Sequence, residues 1–210
     1  MSPELEDIRH RAQRITQGLS EADWLKAVPG KWSCAQIFEH LRLSFTATTA
    51  GLQKALQEGR TPASKATWLG RIKVLWVTRL GQMPSGRSSP KHTTPAGGLS
   101  LTALSRFYDA LVAMDATLND AERRFGRRVK LLDHPFLGPL DAAEWRRFHR
   151  THARHHLRQA AMRIKQTGSG LLIASSLNGS LPDTSATPRD RGTSPPKNSR
   201  REMFQTGSRE

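Results

Sequence analysis

The sequence predicts an all-α domain built as a four-helix bundle. Four long segments read as amphipathic helices, with apolar residues recurring at three and four. Helix-start signals stand ahead of three of them. No segment shows the period-two alternation of a half-buried strand. At 210 residues the chain is long enough for one domain with a real core and short for two.

The first helix is expected over 3–17. Ser2 can cap it, Pro3 suits a first helical turn, and acids come early with basics late. A second helix begins at Ser33, which has capping-box spacing to Gln36 just after the Pro29-Gly30 break. It runs to about Glu58, with Ile37, Leu41, Phe45, Thr48, Leu52 and Leu56 on one face. Residues 65–81 suggest a shorter apolar helical excursion, and the breaker-rich MPSGRSSPKHTTPAGG a loop. A long helix follows from about Leu99 to Phe125, carrying Leu101, Leu104, Tyr108, Leu111, Met114 and Leu118. The last runs from Asp141, with Glu144 at capping-box spacing, to about Lys165. The bundle domain is therefore residues 1–165. From 166 to 210 the chain turns to Gly, Ser, Thr, Pro and scattered charge, and is expected to be a disordered tail.

Lys and Arg outnumber Asp and Glu by 33 to 18, which makes an anionic partner an obvious candidate without saying anything about fold. The basic run at 123–130 and Arg146, Arg147, Arg150, Arg154 and Arg158 of the last helix favour nucleic acid. Against that, no recognition motif accompanies them and no aromatics interleave as stacking platforms. An arginine-rich helix face is more often merely solvated. The single cysteine, Cys34, excludes an internal disulfide and suits a reducing compartment; a buried apolar role fits it better than a nucleophilic one. The N-terminus lacks an apolar signal core, and the stretch Trp68–Leu80 is broken by Arg71, Lys73 and Arg79 and too short to span a bilayer. A cytoplasmic protein with no membrane partner is expected.

Eight histidines are present, five of them between His134 and His156. On a helix His152 and His156 lie one turn apart on one side, with His149 above and Gln159 below. His155 projects roughly 100° away and should not share their centre. Two imidazoles at this spacing can meet one transition metal, but tight binding needs a third ligand from another helix. His40 is the best candidate, mid-helix, with the small residues Ser44, Ala47 and Gly51 following on its face and able to leave open volume. Alone, an i, i+4 pair on a basic helix is usually a solvated face, and a lone mid-helix histidine a satisfied core residue. Gln36, Ser44, His149 and Gln159 could hydrogen-bond behind the ligands, each being a turn from one of them. Glu39 lies about 100° round from His40 and is not cast as a base.

WSCAQIFEHL at 32–41 resembles the early motif of the DinB-like superfamily, a Trp–Ser/Thr start and a helix ending in His-Leu. His152-Ala-Arg-His155-His156-Leu-Arg-Gln159 is similar to that superfamily's closing His-x-x-His-His-x-x-Gln run. HPFLGPLDAAEW at 134–145 resembles one branch, in which a His-Pro-Phe-Phe-Gly-x-Leu turn precedes the last helix; Leu137 replaces the usual second aromatic. The resemblance covers about residues 5–165. It implies a four-helix bundle with long crossover connections and a divalent-metal triad of His40, His152 and His156. It also implies a metal-dependent transferase using a low-molecular-weight thiol, or a hydrolase. A non-catalytic metal-binding bundle is the alternative, and a charge-driven nucleic-acid binder ranks last. Imidazole ligands suit Zn or Ni. The expected partners are a small-molecule substrate, a thiol among them, and a second copy of the chain as a homodimer.

Overall fold

Helices begin where side chains satisfy the first free backbone N–H groups. The computed structural model describes residues 1–65, 68, 72, 74–77, 93–95 and 102–166. All of these lie in the first of the two units, Met1–Asn178, into which the chain's contacts divide it. Helix α1 is Pro3–Thr16, with Pro3, Glu4 and Glu6 in its first turn. The Ser2 hydroxyl makes no cap. Instead the Ser2 backbone N–H donates to Asp115 Oδ2 at 2.9 Å, tying this helix start to another helix. A one-turn helix α2, Glu21–Leu25, is capped by Ser20 and seats Trp24 against Phe38, ring centroids 5.0 Å apart. Five residues are too few to show a period, which is why the sequence did not announce it.

Helix α3, Cys34–Glu58, has both halves of the capping box: Gln36 N–H donates to Ser33 Oγ at 3.2 Å, and Ser33 N–H to Gln36 Oε1 at 2.8 Å. It stops at Gly59, whose φ of +67° is readily open only to glycine. Helix α4, Ala103–Phe125, starts later than the expected Leu99, and Leu99–Leu101 lie outside the described residues. Its buried face is Ala103, Phe107, Leu111, Met114, Leu118 and Ala121, while Leu104 and Tyr108 flank it, partly buried.

The all-α expectation needs correcting between the last two helices. Strands β1, Leu132–His134, and β2, Gly138–Leu140, pair antiparallel with Leu132 opposite Leu140. Three residues per strand are too short for alternation to be legible. The turn between them is held by His134, whose Nδ1 accepts from the N–H groups of Phe136 and Leu137, each at 3.2 Å. Leu137 fills core space. Helix α5, Ala142–Gln166, then starts with a reciprocal box, Glu144 N–H to Asp141 Oδ1 and Asp141 N–H to Glu144 Oε2, both 2.9 Å.

The long helices pack on one another: α3 against α4 and α5, and α1 against α5 and α4. Phe38, Phe45, Phe107, Leu111, Met114, Leu118 and Phe148 belong to one hydrophobic cluster between them. Of the expected helical excursion at 65–81, Lys65 is not helical, while residues 68, 72 and 74–77 are, with Val74 and Val77 in that cluster. The rest of that stretch and most of the following loop lie outside the described residues. So does the expected tail, apart from Gln166, which closes α5. No helix among the described residues is long and apolar enough to cross a membrane.

Candidate metal centre

The contact of α3 with α5 brings His40 to His152 and His156, more than a hundred residues away along the chain. His40 comes from the second turn of α3; His152 and His156 come from successive turns of α5. One ring nitrogen from each lies within 4.8 Å of the other two, close enough to hold a metal ion. His40 Nε2 and His152 Nε2 are 3.1 Å apart. The ring centroids of His40 and His156 are 4.5 Å apart, and those of His152 and His156 4.7 Å. No carboxylate belongs to this group among the described residues.

The hydrogen bonds behind the rings decide which nitrogens can ligate. His40 Nδ1 lies 2.8 Å from the Thr93 carbonyl oxygen, which can only accept. His40 therefore carries its hydrogen on Nδ1, and the lone pair on Nε2 faces His152. His156 Nδ1 donates to Gln159 Oε1 at 2.9 Å, which likewise frees Nε2. The Gln159 amide nitrogen donates in turn to His155 Nε2 at 3.1 Å. The orientation of that amide is thus consistent with both neighbours.

Burial keeps the rings neutral. It lowers the pKa of His40, although the Thr93 carbonyl pulls the other way. His156 is pushed down to about 3 by burial first, then by His40 and His155. His152 lies well below its ordinary value, because of burial and then the neighbouring His156 and His40. Neutral imidazole is the ligating form.

A His40–His152 separation of 3.1 Å fits a shared ion. Two nitrogens at ordinary zinc–imidazole distances in a tetrahedral shell stand roughly 3.3 Å apart. Without an ion, His152 Nε2–H must donate to His40. In either tautomer His152 Nδ1 is buried and has no hydrogen-bond partner among the described residues. The donor set fits a borderline transition-metal cation such as Zn or Ni, the identity of which three imidazoles do not fix.

Aromatic rings wall the cluster. Trp32 lies 5.1 Å from the His40 ring and stacks at 6.3 Å on His156; Phe148 stacks on His152 at 5.5 Å. Neither wall was singled out from sequence, although Trp32 stands one residue before the Ser33 cap. Thr93 was also missed, because nothing in a breaker-rich loop marks a carbonyl as a histidine partner.

The four side chains expected behind the ligands divide. Gln159 bonds a ring nitrogen of the cluster. Gln36 spends its side chain on the cap, and Ser44 Oγ donates to the His40 carbonyl at 2.9 Å rather than to its ring. His149 bonds Thr48 Oγ1 at 3.0 Å and packs against Phe45 and Trp145. Thr48 gives its own hydrogen to the Ser44 carbonyl, so His149 Nε2 is the donor and its buried Nδ1 has no partner among the described residues. Burial takes His149 down to about 3 and His134 to about 4. The open volume expected along Ser44, Ala47 and Gly51 is closed at Gly51, where a Cβ would meet Leu132 Cδ1 at 2.9 Å.

The arginine face of α5 is smaller than its sequence suggested. Arg146 is buried, with Nη1 on Glu122 at 2.9 Å, Nη2 on Asn119 at 2.7 Å and Nε 3.5 Å from Asp115. Arg150 pairs with Asp7 at 3.1 Å. Arg147, Arg154 and Arg158 are exposed. Glu39 pairs with Arg42, away from His40, and Cys34 is buried with its thiol pushed up to about 12.

Over residues 2–163 the sequence matches the model of a family described as protein of unknown function, DUF1569. No curated protein and no solved structure matches it significantly.

Proposed function

The chain belongs to the DUF1569 family, and we propose that it is a metalloprotein of DinB-like type whose His40, His152 and His156 hold a divalent transition metal for chemistry on a small molecule. One observation carries this reading: three neutral imidazoles from two helices converge with two lone pairs fixed on Nε2 by Thr93 and Gln159. The likeness of the Trp32–Leu41 and His152–Gln159 segments to DinB-like motifs, with four long helices in mutual contact, supports a four-helix bundle of that type.

Three neutral ligands leave an ion's charge uncompensated and its coordination incomplete, so it would attract a thiolate or activate water. The remaining steps belong to the chain itself. Thr93 holds the His40 tautomer, and Gln159 holds that of His156. Trp32 and Phe148 exclude water from the sides of the rings and lower the local dielectric. We take thiol transfer as the leading reaction and hydrolysis as the second. Nucleic-acid binding draws less support, since Arg146 and Arg150 of the basic helix are engaged by Asp115, Glu122 and Asp7.

Metal analysis of the purified protein tests the centre, and a thiol-conjugation screen with and without that metal tests the chemistry. About one metal per chain, with conjugation only in the loaded protein, is the expected result. Absence of metal after loading with Zn or Ni would overturn the centre. A loaded protein inert toward thiols and hydrolysable substrates would reduce it to a non-catalytic metal-binding bundle.

A further inference from the structure

Between Glu58 and Asp109 the sequence contains no acidic residue, while it carries eight Lys and Arg. Within this stretch Trp68, Ile72, Leu75 and Trp76 are exposed, by 74%, 51%, 55% and 50% respectively. Their spacing of four, seven and eight puts them on one side of a helix, and the described positions there are helical. Val74 and Val77, roughly opposite, are the described residues there that enter the core. Among the described residues the segment therefore attaches by two valines and turns the larger apolar groups outward. Exposed apolar residues are ordinary when scattered singly; four together on one face are not.

We propose that this face docks the protein on an anionic membrane surface, lying along the bilayer interface without crossing it. The charge balance names the partner: Arg71, Lys73 and Arg79 are interleaved with the patch in sequence, and no acid within the stretch opposes them. The composition of the face selects a bilayer over single-stranded nucleic acid. Tryptophan serves either partner, but Ile72 and Leu75 give a base nothing to stack on and give acyl chains apolar area. Too short and too basic to span, the stretch meets the weaker requirement of lying on a surface, contrary to the expectation of no membrane partner. The inference is independent of the metal centre, since none of the four side chains belongs to it.

Co-sedimentation of the full chain with phosphatidylcholine vesicles, with and without about one-quarter phosphatidylglycerol, tests it. Binding is expected only to the anionic vesicles, weakening with salt and accompanied by a blue shift of tryptophan emission. Two double variants, Trp68→Ser with Trp76→Ser and Ile72→Asn with Leu75→Asn, should each weaken binding on the order of tenfold or more. Both spare Val74 and Val77, and their circular dichroism and bound metal should match the parent. If one pair fails to fold, the other decides. The proposal is overturned by no binding to anionic vesicles, or by unchanged binding in a folded variant. It is equally overturned if the patch variants instead lose binding to single-stranded nucleic acid, or turn a dimer into a monomer, with vesicles unbound.

Discussion

Acid should unfold the metal-free protein well above the pH at which carboxylates titrate. An unfolded histidine takes its proton near ~6.5. Burial holds the folded values of His149 and His156 to about 3 and of His134 to about 4, with His152 well below its ordinary value. A depressed base is stable as folded above the unfolded pKa. It loses stability as the pH falls from ~6.5 toward the folded pKa, because only the unfolded chain takes up the proton. By about pH 5 each of His134, His149 and His156 has cost about 2 kcal/mol, at 1.36 kcal/mol per pH unit. The three together remove about 6 kcal/mol, comparable with the whole stability of an ordinary domain, about 5–15 kcal/mol, and the lowered His152 acts in the same direction. Urea unfolding followed by circular dichroism, in chelator and between about pH 7 and pH 5, reads the slope directly. Chelator is needed because bound metal adds its own proton competition. His149→Phe removes one titrating ring and should reduce the slope by about one proton, whatever it does to stability at neutral pH. Stability that stays flat through this window, or a slope unchanged in His149→Phe, would refute the reasoning.

Four further outcomes can be checked by metal content per folded molecule or by denaturation. His152→Ala and His156→Ala should each lose tight metal binding, whereas His155→Ala should retain it, because its ring bonds Gln159 and meets His156 edge-on without joining the three converging nitrogens. Gln159→Leu frees the His156 tautomer and should weaken metal affinity roughly 10–100-fold without unfolding the protein, read by competition with a chelating dye. Arg146→Ala leaves Asp115 and Glu122 without their shared cation and should cost about 3–5 kcal/mol in urea unfolding, while Arg147→Gln with Arg154→Gln and Arg158→Gln should change stability little. A chain ending at Gln166 should keep the parent's thermal transition, since the described core is complete by Ile164.

The parts of the fold that showed in the sequence are those with a repeated local signal. Ser33 and Gln36, then Asp141 and Glu144, place two helix starts within a residue, because a capping box is a contact between neighbours. His152 and His156 could be set side by side from spacing alone, because four residues nearly complete a turn. What stayed hidden depends on contacts remote in sequence or on elements too short to repeat. The strands Leu132–His134 and Gly138–Leu140 have three residues each. Arg146 looked like part of a solvated stripe. Its burial follows from Asp115 and Glu122, seven residues apart on α4, whose positions against α5 no local rule supplies. The same holds for Leu132 closing the space over Gly51.

Thr93 shows why a list of candidate ligands was not yet a site. An imidazole can turn either nitrogen inward and carry its hydrogen on either one, so residue type and helix position leave several arrangements open for His40. A backbone carbonyl 2.8 Å behind Nδ1 removes all but one of them. That carbonyl comes from the chain between α3 and α4, whose side chain at the same position is immaterial to the bond. Substituting Thr93 should therefore matter less than moving its backbone. Changes at Thr93 that keep the local chain path should spare the His40 tautomer, whereas deleting residues around it should release the ring. His40 would then lose its fixed lone pair while His152 and His156 kept their places on α5. Helices α3 and α5 supply the nitrogens, and the chain between α3 and α4 decides whether that of His40 is aimed.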